Sequence, residues 1–226
     1  MRTALVVFDI AGTTVVDKGN VADSFIAAFR KQGFDIPREA VNEVMGYRKI
    51  EAIQQLLSRF YSTSVSNQAL IDKIHTAFEE TMLQFYMADK DLSPLPFAEE
   101  TFQWLQNKRI KVALNTGFTR YITEGILYKL SWKNNPLIDA AICSDEVPQG
   151  RPAPFMIQTL MEQLGVDDAS KIVKVGDTEV DVLEGRNAAC GLVVSVTTGA
   201  YTRYQLETYH PDHIIDSLSE LSAYIR

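Results

Sequence analysis

An α/β fold, with a parallel sheet wound by crossover helices and a helical segment inserted into it, is predicted by three observations. Short runs of branched apolar residues recur at 3–8, 110–114, 138–143, 171–175 and 192–196, with a weaker one at 213–215, and helical stretches separate them. The first two runs lie roughly a hundred residues apart, where a simple crossover takes about a dozen. The residues just past these runs are polar and glycine-rich, and in an open parallel sheet the carboxyl ends of strands are where ligands bind.

The elements follow from periodicity. Ala22, Phe25, Ile26 and Phe29 repeat at i, i+3, i+4 and i+7 and stop at Gly33, while Ile157, Leu160, Met161 and Leu164 do the same after Pro152 and Pro154 and stop at Gly165. Both are one-sided helices. Within the long interval, 50–60 and 67–86 read as helix, so the insertion is a second, helical domain. Its first link falls near 15–20, and the return link is Ser93, Pro94, Leu95 and Pro96.

Composition narrows the function. The 226 residues are 46% hydrophobic and 23% charged, enough to bury a sizeable core. A net charge of -7 leaves no broad basic surface for a nucleic-acid backbone, so no nucleic-acid partner is expected. Apolar runs such as 4–8 and 192–194 fall far short of the ~20 residues of a membrane span, and no charged-then-apolar leader is seen. No membrane partner and a cytoplasmic location are the expectation. Cys143 and Cys190 lie in or beside apolar runs, where reduced buried thiols are the default.

The candidate site residues sit at the run ends. The first run leads into Asp9, Ile10, Ala11, Gly12 and Thr13, the second into Thr116 and Gly117, and the fourth into Asp177, with Asp181 four residues on. Arg151 and Pro152 lie between the last two. Each Asp alone reads as a cap or turn residue. Together, three carboxylates, a hydroxyl and a guanidinium on one sheet edge supply a nucleophile, metal ligands, a phosphate-binding donor and a cation, which suffice for phosphoryl transfer.

On these motifs the sequence resembles the haloacid dehalogenase superfamily, over the whole chain. Asp9, Ile10, Ala11, Gly12, Thr13, the Arg151-Pro152 pair, and Met45, Gly46, Tyr47, Arg48, Lys49 resemble its phosphonatase branch, which has Asp-x-Ala-Gly-Thr, an Arg-Pro, and a cap lysine after Met-Gly. The resemblance implies a Rossmann-like doubly wound core of residues 1–15 and 92–226 and an all-helical cap of 16–91. It implies that Asp9 is a nucleophile forming a phospho-aspartate and that Mg2+ is held by Asp9, the Ala11 carbonyl and Asp177. Asp181 would ligate or orient that metal, or be a solvated helix residue. Thr116 would bind phosphoryl oxygens and Arg151 would balance charge. Met45, Gly46 and Gly117 would line the substrate.

Ala11 replaces a residue that in related phosphatases protonates the leaving group. A carbon leaving group activated by an imine needs no such proton, and Lys49 is the amine that would form that imine. The implied substrate is a small organophosphorus compound, phosphonoacetaldehyde or a close relative. Phosphate-monoester hydrolysis and non-catalytic phosphate binding are the alternatives. Two positions depart from the branch pattern: Ala52 stands where it has a histidine, and Phe118 where it has a tyrosine. His75, His210 and His213 read as satisfied or solvated, and Phe25, Phe29, Phe78 and Phe85 as packing. Those cap aromatics leave a homodimer through the cap open.

Overall fold

The computed structural model describes residues 2–88 and 92–225. The outer limits expected for the core, 1 and 226, and residue 91, where the cap is expected to end, lie outside the described residues. Among the described residues six strands form one sheet: β1 (Leu5–Phe8), β2 (Lys111–Thr116), β3 (Ala140–Cys143), β4 (Ile172–Gly176), β5 (Leu192–Val196) and β6 (His213–Ile215). The order is β3-β2-β1-β4-β5-β6, and every pairing is parallel. This is the doubly wound α/β sheet the sequence predicts.

Nine α-helices accompany it among those residues: α1 (Asn20–Lys31), α2 (Arg38–Glu43), α3 (Lys49–Phe60), α4 (Gln68–Ala88), α5 (Ala98–Asn107), α6 (Arg120–Lys129), α7 (Phe155–Leu164), α8 (Glu179–Asn187) and α9 (Arg203–Glu207). The period-2 alternation of the strands splits the core between two faces. Val6, Phe8, Val112, Leu114, Val173 and Val175 pack on one side with Phe102 and Leu105 of α5 and Ile122 and Ile126 of α6. Leu5, Val7, Ala113 and Ile172 pack on the other with Met156, Ile157 and Leu160 of α7 and Val182 of α8.

Helices α1 to α4 fill the long interval after β1. Phe25 of α1 meets Phe78 of α4 with ring centroids 4.5 Å apart, and Phe29 is buried in the same cluster. These rings pack within this chain. The two links run side by side: Val15 and Pro94 form an antiparallel bridge, Val16 N donates to Ser93 O at 3.1 Å, and Leu95 N donates to Thr14 O at 2.8 Å.

The structure departs from the sequence expectation in two useful places. β2 runs on to Thr116, because Asn115 and Thr116 pair with Ile142 and Cys143 of β3. β4 likewise runs to Gly176, opposite Ser195. Helices α2, α5, α6 and α9 were not anticipated; α2 and α9 are short, and α6 starts directly after the polar turn that follows β2. No helix among the described residues is long and apolar enough to cross a membrane.

Candidate active site

Strand register assembles the site. β1 is flanked by β2 and β4, with Phe8 beside Leu114 and Val175, so Asp9, Thr116 and Asp177 emerge at one edge of the sheet. Asp9 N still donates to Val175 O at 2.9 Å, which holds the residue in strand-like backbone as its side chain enters the site.

A buried chain of alternating charges runs beneath that edge. Arg151 Nη1 donates to Asp9 Oδ1 at 2.7 Å and to Asp181 Oδ1. Lys174, on β4, lies 2.9 Å from Asp181 and 3.3 Å from Glu184 of α8, and donates to Asn115 Oδ1 at 2.7 Å. Asn115 in turn donates to both Glu184 oxygens. All five charged groups are essentially out of water. Burial opposes the charge on Asp181, but Arg151 and Lys174 outweigh it and hold the carboxyl at about 2. Asp181 also accepts from Thr178 N and Oγ1, closing the first turn of α8. It is therefore no solvated helix residue. Burial likewise works against the Arg151 charge, and Asp181 and Asp9 reverse the balance and raise it. Arg151 Nε has no hydrogen-bond partner among the described residues, an unused donor that suits an incoming anion.

Asp9 and Asp177 carry the opposite imbalance. Burial pushes Asp9 up to about 6 even with Arg151 beside it. Burial, then the Asp9 and Asp181 charges, pushes Asp177 well above the usual carboxylate range. Thr13 Oγ1 donates to Asp177 Oδ1 at 3.0 Å and Ala200 N to Oδ2 at 2.7 Å, which fixes the carboxylate in place. Asp9, Ala11 and Asp177 line one cavity. Two carboxylates and a carbonyl are a hard oxygen donor set, and their surplus of negative charge fits a small divalent cation such as Mg2+.

Thr116 is buried and accepts from Phe118 N at 3.2 Å, which leaves its own hydroxyl hydrogen to donate into the cavity. Gly117 is needed for close approach: a Cβ there would lie 2.5 Å from the carbonyl oxygens of Gly46 and Tyr47. Gly46 has φ +81°, and a Cβ on it would lie 2.6 Å from Thr178 Oγ1. The Met45-Gly46 turn is thus seated backbone to backbone on the loop after β2. Met45, Gly46 and Gly117 line the same cavity as Asp9 and Arg151.

Lys49, at the start of α3, reaches this cavity from the helical insert and is only 3% exposed. Its Nζ lies 4.9 Å from the Phe118 ring centre, 5.7 Å from Phe25 and 6.0 Å from Phe78. Among the described residues its hydrogen bond is to the Tyr47 carbonyl, at 3.3 Å. Burial, and next the Arg151 charge, bring the amine down to about 7, against the pull of Asp9, Asp17 and Asp177. The sequence neighbour Arg48 faces elsewhere, donating to Pro148 O at 3.3 Å.

The structure therefore brings Asp9, Ala11, Met45, Gly46, Lys49, Thr116, Gly117, Arg151 and Asp177 to one cavity, with Asp181 directly behind Arg151. Asp17 was missed. It lines the cavity, and its carboxylate accepts from the backbone N–H groups of Gly19 and Asn20. Lys174 and Glu184 were missed as well, although a lysine between two valines in a central parallel strand is itself a signal, since such strands are buried on both faces. Arg203 pairs with Asp216 at 2.8 Å and is exposed, while Tyr201 is buried with its hydroxyl donating to Glu43 O. His213 stacks on Tyr224, centroids 4.0 Å apart.

The chain is similar to known proteins over most of its length. A family model described as haloacid dehalogenase-like hydrolase matches residues 3–189. Phosphonoacetaldehyde hydrolase of Bacillus cereus is 31% identical over 222 residues, covering 92% of this chain and 82% of that protein. Phosphonoacetaldehyde hydrolase of Parabacteroides distasonis is 34% identical over 204 residues, covering 85% and 75%. A crystal structure of a phosphonoacetaldehyde hydrolase-like protein from Oleispira antarctica superimposes with a TM-score of 0.85 at 23% identity, covering 99% of this chain and 91% of that one. At that identity the structural likeness is one of fold.

Proposed function

We propose that this chain, which belongs to the haloacid dehalogenase-like hydrolase family, cleaves the carbon–phosphorus bond of phosphonoacetaldehyde or a close relative through Asp9, with Mg2+ as cofactor. The observation that carries this reading is the Lys49 amine, buried, lowered to about 7, and lining the same cavity as Asp9 and Arg151. The similarity to phosphonoacetaldehyde hydrolases over most of the chain supports the choice of substrate.

The chemistry divides between two sides of the cavity. Lys49, as the free amine, adds to the substrate aldehyde, and with the uptake of one proton the adduct loses water, leaving an iminium beside the carbon that bears phosphorus. An Asp9 carboxylate oxygen attacks phosphorus; the carbon–phosphorus electron pair moves into the iminium and leaves an enamine on Lys49. The Thr116 hydroxyl and Arg151 hold the phosphoryl oxygens as charge shifts toward them. Water then hydrolyses the phospho-aspartate, and protonation at carbon followed by imine hydrolysis frees the aldehyde and the lysine. Mg2+ held by Asp9, the Ala11 carbonyl and Asp177 would neutralise phosphoryl charge. Asp181 acts by holding Arg151 and, through it, Asp9. Ala11 has no proton to give, which suits a carbon leaving group that needs none there.

The helices of 16–91 serve as a cap. The cavity between Lys49 and Asp9 is about 30 Å³, room for one or two waters, so substrate enters when the cap lifts about the paired links.

The test is orthophosphate release with magnesium, comparing phosphonoacetaldehyde with a panel of small phosphate monoesters. Release from the phosphonate, lost in Asp9→Asn and in Lys49→Arg, is expected. Release from monoesters alone would transfer the chain to phosphatase chemistry, and activity retained in Asp9→Asn would remove the nucleophile from the mechanism.

A further inference from the structure

Lys49 is shared by two cavities. One is the small site facing Asp9; the other, of about 270 Å³, is lined by Lys49 with Arg48, His75, Glu79, Thr119 and Asp145. His75 and Glu79 lie on successive turns of α4, with His75 Nδ1 3.7 Å from Glu79 Oε2, and Thr119 Oγ1 donates to the other oxygen of Glu79. Glu79 thus stands beside one ring nitrogen of His75, in the cavity that Lys49 also lines.

We propose that His75, oriented by Glu79, exchanges protons between Lys49 and solvent through this second cavity. The inference rests on the imine chemistry proposed above. That chemistry requires proton traffic at a group that is buried away from bulk water. An ammonium must give up a proton before its nitrogen can attack, and the hydroxyl expelled on condensation must gain one to leave as water. The Tyr47 carbonyl that Lys49 meets can accept a hydrogen bond but cannot take up a proton. Asp9 is committed to phosphorus, and Asp17 is engaged by two backbone N–H groups.

The balance is simple. Lys49 ammonium and neutral imidazole become Lys49 amine and imidazolium across cavity water, and the imidazolium returns to neutral by giving its proton to that water, from which the departing hydroxyl takes up the proton it needs. Burial, and the positive charges of Lys49 and Arg48, keep His75 below its ordinary value against Glu79 and Asp72, so the ring is a neutral acceptor near neutrality. Asp145 is the remaining charged group lining this cavity. His75 acts through Lys49 and does not touch the reacting atoms.

The experiment traps the Lys49 imine with acetaldehyde and borohydride on the whole protein and follows the adduct by mass spectrometry against pH. Wild type should form it and Lys49→Arg should not. His75→Ala and the volume-keeping His75→Gln should both slow trapping, by about 10²-fold, and added imidazole should restore the rate in His75→Ala in proportion to its concentration. Stabilisation of both variants by beryllium fluoride with magnesium, which reports the Asp9 side, should persist and show that the fold is intact. Trapping at the wild-type rate in His75→Ala, or slow trapping that imidazole does not restore, overturns the proposal alone. A wild-type protein that forms no adduct overturns the imine reading itself.

Discussion

Arg151 Nη1 lies 2.7 Å from Asp9 Oδ1, a contact made across 142 residues of chain. The same guanidinium is the largest charge acting to lower Lys49. One cation therefore serves both halves of the site: it keeps the nucleophile nearer its charged form and the amine nearer its neutral form. Both groups must shed a proton to react, and a single fixed positive charge favours the deprotonated form of each.

Arg151→Lys keeps the charge and loses the planar guanidinium whose Nη1 bridges Asp9 and Asp181 and whose Nε is the spare donor. Turnover should fall by about 10²-fold or more, with a smaller change in KM, because the lost contacts matter most as charge builds on the phosphoryl oxygens. Steady-state kinetics of phosphate release measures this; a variant within a factor of about three of wild type would show that the bridge is dispensable.

Magnesium affinity should climb with pH through about 6 and continue upward, with protons expelled on binding, since Asp9 is raised to about 6 and Asp177 is raised further out of the carboxylate range. In the metal-free protein the sign of the stability effect is fixed as well. Between 3.8 and about 6 the folded Asp9 keeps a proton that the unfolded chain has shed, so this group makes stability fall as pH rises through that window. Calorimetric titration in buffers of different ionisation enthalpy reads the proton release, and an affinity independent of pH across that range would contradict it.

Lys49→Met should raise the melting temperature, and by more near about pH 6 than near about pH 9. Below about 7 the lysine is charged both folded and unfolded and carries the full cost of burying an ammonium; between about 7 and 10.5 only the unfolded chain holds the proton, and that cost shrinks as pH rises. Differential scanning calorimetry at the two pH values decides it. An equal gain at both would mean that the amine is not depressed.

Lys174→Met leaves Glu184 without its buried cation and Asp181 with Arg151 alone, and should cost about 3–5 kcal/mol in urea unfolding. Adding Glu184→Gln should cost less than the sum of the two single changes, because the second removes a charge that the first left uncompensated. Additive losses would show that Lys174 and Glu184 do not share one network.

Much of this is legible in the sequence. β5 and β6 fall on the residues expected, and α3 begins one residue before its predicted start. The site residues at strand ends were legible because chain order and a right-handed parallel winding put successive carboxyl ends on one edge. Asp181 was ambiguous in the sequence, since an i, i+4 spacing from Asp177 is shared by ligands, caps and solvated helix residues; only the positions of Arg151 and Lys174 resolve where its carboxylate points. His75 read as an ordinary cap histidine because nothing within its own helix shows that it shares a cavity with Lys49 of α3.

By itself the sequence determined the α/β class, the parallel winding, the helical insertion and the set of groups at the sheet edge, because these depend on local periodicity and on residue types at strand ends. The tertiary structure alone decided how those groups are charged. Burial and facing partners set whether Asp9, Lys49, Asp177 and Asp181 hold protons, and the partners that matter, Arg151 for Lys49 and Arg151 then Lys174 for Asp181, come from other elements of the fold. Electrostatic energy depends on distance and on exclusion of water, and neither quantity is carried by sequence separation.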